Sequence, residues 1–261
     1  MISIREYELV DSLEQAHEIL LKNRFNTIIG GGAFLRLGSK KINKAIDLSK
    51  LKLDYIEEDE HEIRIGAMVT LRQLETSSAL LENFSGAVAE SVKHIVGVQL
   101  RNIVTVGATV YSRYGFSDPI TALLALETYV DLYKGGRMSL DEFLENGSPR
   151  DILTQIVIKK GVDKASFKML RNSAGDYAIL NVCAAAKDGS IRIAAGARPA
   201  RAKIAKAASE FISASELSEE NIDRAAQMAA EELDFGSNMR ASADYRRQMC
   251  RVLVKRALME V

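Results

Sequence analysis

The chain has little of what proteins use to hold metals or build nucleophiles: two Cys, three His, three Pro and no Trp in 261 residues. Cys183 and Cys250 are too few for a disulfide framework, a thiolate zinc site or an iron–sulfur site. Surplus charge is also missing, since 35 Lys plus Arg balance 35 Asp plus Glu. Nucleic-acid binders draw most of their affinity from phosphates neutralised by a basic excess, so this balance argues against such a partner. Apolar runs such as Ile120 to Leu126 stop well short of the roughly 20 residues a membrane span needs. The N-terminal stretch Met1 to Glu8 mixes charges and has no signal-peptide apolar region. A cytoplasmic protein with no membrane span is expected, in which the sequons at Asn83 and Asn146 are chance matches. No G-x-S-x-G elbow is present and no histidine has zinc-ligand spacing. His17 is expected on a polar helix face, His61 in a solvated acidic turn, and Cys183 as a small buried apolar residue. With so thin a catalytic inventory, any chemistry must be carried by a cofactor.

What is present is ordinary globular material, 47% hydrophobic and 27% charged, enough for one or two packed domains. Ser12 with Gln15 and Thr70 with Gln73 fit capping boxes. The first predicts a helix with Leu13, Ala16, Ile19 and Leu20 on one face, and the second a helix running to about Leu81. Thr27–Ile29 and Ala45–Leu48 read as short strands, and Glu62–Ala67 alternates charged and apolar residues as a half-buried strand does. Ala87 to Val96 reads as a helix, Asp118-Pro119 as a helix start, Tyr129–Tyr133 as a strand, and Lys134-Gly135-Gly136 as a tight turn. Composition shifts near residue 160. Beyond it, Ala165–Arg171, Ala178–Lys187 and Ile191–Ala197 read as strands, with Asp188-Gly189 as a hairpin turn. Two helices follow, from near Ser218 with Ile222, Ala225, Ala226, Ala229 and Leu233 on one face, and from near Ser242 with Tyr245, Met249, Val252, Leu253 and Ala257 facing inward. These elements predict an α+β protein, with a mixed α/β half at 1–160 and a sheet-plus-helices half at 161–261.

Two clusters are candidates for a binding function. Gly30-Gly31-Gly32 ends a short β-rich run, where consecutive backbone N–H groups could cradle a phosphate or simply form a tight turn. It fits neither the dinucleotide fingerprint, because the next glycine is Gly38, nor a P-loop, because Ser39 stands where Lys is required. Arg101-Asn102 with Thr105-Val106-Gly107 places polar groups inside an apolar, β-rich run; the alternative is a bend with Arg101 solvated at its edge.

In order along the chain, these pieces resemble the FAD-binding subunit of molybdenum hydroxylases, the family of xanthine dehydrogenase and carbon monoxide dehydrogenase. Ile29-Gly30-Gly31-Gly32-Ala33-Phe34-Leu35 resembles its first flavin loop, and Ile65-Gly66-Ala67 followed by Thr70 its next landmark. Gln99-Leu100-Arg101-Asn102 with Thr105-Val106-Gly107-Ala108-Thr109 resembles its central motif, and Ser117-Asp118 the segment after it. Phe167-Lys168 with Arg171, Asp176 and Ala178 resembles the opening of its C-terminal domain, and Ser242, Tyr245 and Arg246 its end. The resemblance implies a two-part FAD-binding domain of the PCMH, vanillyl-alcohol-oxidase-like type. A C-terminal domain of a small antiparallel sheet with helices follows it. It implies that the two glycine loops cradle the FAD pyrophosphate, that Asp118 meets the ribityl or ribose region, and that Lys168 lies near the isoalloxazine ring. The chain departs from the pattern at Ala33 and Phe34, where a Ser or Thr and then a polar residue are usual. It departs again at Ala108, where a second glycine is usual.

The function implied is an oxidoreductase subunit for electron transfer. A molybdopterin-binding partner oxidises substrate, a 2Fe-2S partner relays electrons, and FAD on this chain passes them to NAD+ or another acceptor. The departures at Ala33, Phe34 and Ala108 motivate an alternative, a structural or assembly subunit of the same fold with weak or no flavin binding. A stand-alone flavin oxidase would need a substrate base, for which the sequence offers no candidate.

Overall fold

A computed structural model describes residues 1–147 and 150–261; the third residue of the Asn146 sequon lies outside the described residues. Three sheets follow one another along the chain. The first is parallel, in the order β1 (Ser3–Leu9), β3 (Lys41–Asp47), β2 (Thr27–Ile29). Its crossover helix is α1 (Leu13–Lys22), capped by Ser12, whose hydroxyl accepts from the Gln15 N–H. β3 is longer than Ala45–Leu48, because its N-terminal half pairs with β1, from Ser3 opposite Lys41 onward.

The second sheet is antiparallel, ordered β4 (Ile56–Glu58), β5 (Glu62–Gly66), β8 (Leu153–Lys159), β6 (Thr128–Leu132), β7 (Gly136–Ser139). Between β5 and β6 run α2 (Leu71–Thr76), α3 (Ser78–Glu82), α4 (Ala87–Lys93), α5 (Val98–Arg101), α6 (Val106–Ser112) and α7 (Asp118–Ala125); α8 (Leu140–Asn146) follows β7. The Thr70–Gln73 capping box forms, but the helix does not run on to Leu81. Ser77 adopts extended backbone, so two short helices turn Leu71, Leu74 and Leu80 into one core. The stretch 97–108 is also not a strand. Thr105 caps α6 instead, its hydroxyl accepting from the Ala108 N–H at 3.4 Å.

The third sheet is antiparallel, β12 (Lys203–Ile204), β11 (Ser190–Gly196), β10 (Ala178–Lys187), β9 (Lys164–Arg171). Its hairpin turns at Asp188-Gly189, both at positive φ, as a tight two-residue turn requires. β10 is apolar without alternation because both its faces are covered. Cys183 and Ala185 join the core of the preceding half. Leu180, Val182 and Ala184 pack under α9 (Lys206–Ser213), α10 (Glu219–Glu232) and α11 (Ala243–Leu258). On α11, Leu253 and Ala257 face inward as expected and Met249 packs at the edge of the core, but the stripe does not begin at Tyr245. Tyr245 is exposed, while Arg246, at 1% exposure, is sunk among the carbonyls of Ile179, Gly236 and Ala241, to which its guanidinium donates. Both thiols are buried, and desolvation pushes each up to about 12, so neither is reactive. No described helix is long and apolar enough to cross a membrane.

Candidate functional site

A cavity of about 690 Å³ opens where the first sheet, the α6–α7 region and the start of the third sheet meet. That size is within the range of about 300–1,000 Å³ usual for small-molecule pockets. From the first loop Ile29, Gly30, Gly32, Ala33, Phe34 and Leu35 line it. Thr105, Gly107, Ala108 and Thr109 come from the second loop, and Ser117 and Asp118 from the approach to α7. The topology therefore gathers the first loop with two segments from much later in the chain.

The glycines act first on the packing of these loops. A Cβ on Gly30 would stand 2.4 Å from the Thr105 hydroxyl, and one on Gly31 would stand 1.7 Å from the Ile103 carbonyl. A Cβ on Gly107 would meet the Ala67 carbonyl at 2.6 Å. The loops thus touch backbone to backbone, which only glycine permits. Gly31 and Gly32 both have positive φ, and around Gly32 the space is open. The N–H groups of Gly31, Gly32, Ala33 and Phe34 make no hydrogen bond to another described residue. Successive free N–H groups on such a turn form a concavity that suits an anion.

Arg171, on β9, also lines the cavity, and its guanidinium donates to the Asp118 carboxylate and to the Asp176 carbonyl. The Asn181 amide donates to the other Asp118 oxygen at 2.6 Å, and the Thr121 hydroxyl donates to Asn181 at 2.8 Å. Burial pushes the Asp118 carboxyl up, against the opposing pull of Arg171 and Asn181, which keep a carboxylate satisfied there. This chain of bonds fastens α7 to β9 and β10 at the cavity wall.

Five expected site residues do not line the cavity. Arg101 is not solvated at a bend. At 6% exposure its Nε donates to Glu75 at 2.8 Å and its Nη1 to the Ile95 carbonyl, so it braces the loop that supports Gly31. Asn102 is exposed beside it, and Thr70 is committed to capping α2. Gly31 lies behind the lining, against Ile103. Lys168 occupies the opposite face of β9 from Phe167 and Met169, and its Nζ donates to Glu260 at 2.5 Å. Strand alternation sends Lys168 away from the cavity and brings Arg171 to it. His17 is also not on a polar face; it is mostly covered, edge-on to Tyr133 and 3.8 Å from the Asp151 carboxylate. Among the described residues no group of three or more His, Cys, Asp or Glu is placed to hold a metal. Phe34, expected in the first loop, is joined at the cavity by three rings that the sequence does not mark, Tyr114, Phe116 and Tyr177. Their spacing in the sequence has no period, so only the fold collects them.

Residues 3–159 match the FAD binding domain in molybdopterin dehydrogenase, and residues 165–261 match the CO dehydrogenase flavoprotein C-terminal domain. The chain belongs to the FAD-binding family of molybdopterin dehydrogenases. It is similar to the nicotine 6-hydroxylase medium subunit of Paenarthrobacter nicotinovorans, at 26% identity over 95% of this chain and 94% of that protein. It is also similar to the glyceraldehyde dehydrogenase medium chain of Sulfolobus acidocaldarius, at 24% identity over 98% and 97%. Its fold matches that of a chain of carbon monoxide dehydrogenase from Hydrogenophaga pseudoflava, with TM-score 0.91 and 23% identity over 99% and 97%. As a molybdopterin dehydrogenase flavoprotein, the chain is an oxidoreductase subunit whose family cofactor is FAD. The residues present fit that group. The first loop supplies free N–H donors, and Ser117 Oγ, beside Asp118, is a buried polar atom with no partner among the described residues. The two glycine loops themselves offer few free polar side chains. Ala33 and Phe34 carry no side-chain donor, and the Thr109 hydroxyl donates back to the Thr105 carbonyl at 2.9 Å.

Proposed function

We propose that this chain binds FAD in the cavity and serves as the electron-transfer subunit of a molybdopterin-dependent dehydrogenase. The observation that carries the reading is the first loop. Two consecutive glycines at positive φ lie in a loop whose N–H groups have no partner among the described residues, beside a cavity walled by a second glycine loop. When bound, FAD supplies the redox chemistry by accepting electrons and handing them on. The chain's residues do the rest. Backbone N–H groups from Gly32 to Phe34 would hold the pyrophosphate, Asp118 would face the ribityl or ribose hydroxyls, and Ser117 would find its missing partner there. Arg171 and Asn181 hold the Asp118 carboxyl in place at the cavity wall.

Electrons reach the flavin from iron–sulfur clusters on a 2Fe-2S partner subunit and originate at a molybdopterin-binding partner. This chain has two buried cysteines and cannot hold such clusters itself. NAD+ or another acceptor receives the electrons in this reading, and the complex is cytoplasmic. The chain divides into an FAD-binding part, 1–160, and a C-terminal part, 161–261, joined by one polar connection. Untagged purification from source cells tests the assembly: a yellow complex with molybdenum and iron–sulfur chains is expected, whereas a chain that purifies alone and colourless contradicts it. A second reading, a structural subunit without flavin, draws on Ala33 and Phe34 in place of polar side chains. FAD uptake by the purified chain separates the two.

A further inference from the structure

We propose that Arg150 is a positioning residue for the cofactor: acting through β2, it fixes the first glycine loop where its N–H groups can meet the pyrophosphate. This inference rests on the FAD reading above. The first sheet and α1 form a layer of their own, residues 1–48, along one side of the cavity. The seam between this layer and the rest of the chain is largely apolar, with Leu20, Ile46 and Leu48 in one core with Leu53 and Ile152. The Arg150 Nη2 crosses that seam. It donates to the Asn23 carbonyl at 2.9 Å and to the Asn26 carbonyl at 2.7 Å, residues 127 and 124 positions away in sequence. Among the described residues, no other hydrogen bond joins residues 1–48 to residues 55–261. His17 approaches Asp151 across the seam only to 3.8 Å, beyond hydrogen-bond length.

Each end of this clasp is itself held. Arg150 is followed by the buried Asp151, whose carboxylate accepts from the N–H groups of Lys134 at 3.0 Å, Gly135 at 2.7 Å and Ile152 at 2.7 Å. On the other side the buried Asn26 amide donates to the Ile19 carbonyl at 2.6 Å, and its oxygen accepts from Asn43 at 2.8 Å. β2 starts at the next residue and is three residues long, so about 10 Å of strand separates the clasp from Gly30. The far end of β2 is fixed by Gly30 and Gly31, pressed on Thr105 and Ile103. The bland alternative is an arginine that merely caps the C-terminus of α1, as cations do at helix ends. That role needs the Asn23 carbonyl alone. Arg150 also takes the Asn26 carbonyl, outside α1, and its side chain lines the cavity. Apolar contact is non-directional and lets one layer slide on another, whereas two hydrogen bonds to fixed carbonyls set one position. Arg150 thus sets where β2, and the loop it carries, stands against the second glycine loop.

The test compares the full chain with Arg150→Met and Arg150→Lys, measuring dissociation constants for FAD and riboflavin by flavin fluorescence, and the midpoint of urea unfolding. Riboflavin has no phosphate, so it makes no use of the first loop's N–H groups. Arg150→Met is expected to weaken FAD about tenfold and to leave riboflavin at the parent value. Arg150→Lys, whose ammonium can donate to the same two carbonyls, should restore most of the FAD affinity. A lower urea midpoint with unchanged FAD affinity is what a plain helix cap gives, and it would overturn the inference. An equal loss for FAD and riboflavin would also overturn it, since the whole cavity would then have collapsed. Where the parent binds riboflavin too weakly to titrate, the lysine variant decides: recovery of FAD affinity supports the inference and no recovery overturns it. If Arg150→Met fails to fold by circular dichroism, Arg150→Gln, polar but too short to span both carbonyls, must show the loss for FAD. A parent chain that takes up no FAD overturns the FAD reading itself, and this inference with it.

Discussion

Single residues at this site have more than one duty. Gly31 and Gly32 share positive φ, but only Gly31 is pressed against a carbonyl. Gly32→Ala should cost about 1–2 kcal/mol, the penalty of a left-handed alanine. Gly31→Ala adds a clash with Ile103 and should cost more, with loss of FAD uptake; urea unfolding and flavin titration of both variants check the order. The Glu75–Arg101 pair gives a pH signature. Burial alone would raise the Glu75 carboxyl, but Arg72 and Arg101 outweigh it and hold it below its ordinary value of 4.5. A depressed carboxylate contributes stability that is present above the unfolded pKa and lost as pH falls through the folded one. Glu75→Gln should therefore show a shallower loss of stability than the parent as pH falls below about 4.5. Thermal unfolding across that range would contradict this if the two slopes coincide. The sequence marks Arg101 as unusual but cannot say which carboxylate it meets, because Glu75 lies on another helix.

At the scale of elements, short-range rules carry far. The helix caps at Ser12, Thr70, Ser218 and Ser242 and the hairpin at Asp188-Gly189 all form, since each depends on residues within a turn of each other. Long-range packing decides the rest. Ser77 breaks one expected helix into α2 and α3, and Thr105 starts α6 where apolar β-rich residues suggest a strand. Alternation on β9 decides that Arg171 and not Lys168 faces the cavity. Its register is set by pairing with β10, which no local pattern reveals. Beyond the end of α4, Val96 has φ of 49°, a conformation a β-branched residue adopts only under strain. Val96→Gly should relieve that strain and stabilise the chain by about 1 kcal/mol in urea unfolding. An unchanged or lower midpoint would contradict the strain.

At the scale of the whole molecule, the two halves share a core. Cys183, Ala185 and Ala194 of the third sheet pack into the cluster built on α2, α4 and α7. The Arg171–Asp118–Asn181–Thr121 chain adds a polar fastening at the cavity. Arg171→Met leaves a buried carboxylate without its cation and should cost about 3–5 kcal/mol. Adding Asp118→Asn removes the stranded charge, so the double variant should be more stable than Arg171→Met alone. Additive losses would contradict that coupling. The fold class and the two glycine loops were legible in the sequence because their motifs are local. The cluster of Phe34, Tyr114, Phe116 and Tyr177 and the Arg171 fastening were not, because each joins segments that only the folded chain brings together. The central claim is that this chain holds FAD, and its most direct test is flavin content after the purified full chain is incubated with FAD and the excess removed. The account predicts a yellow protein with stoichiometric flavin. A correctly folded, colourless chain that retains no FAD would contradict it.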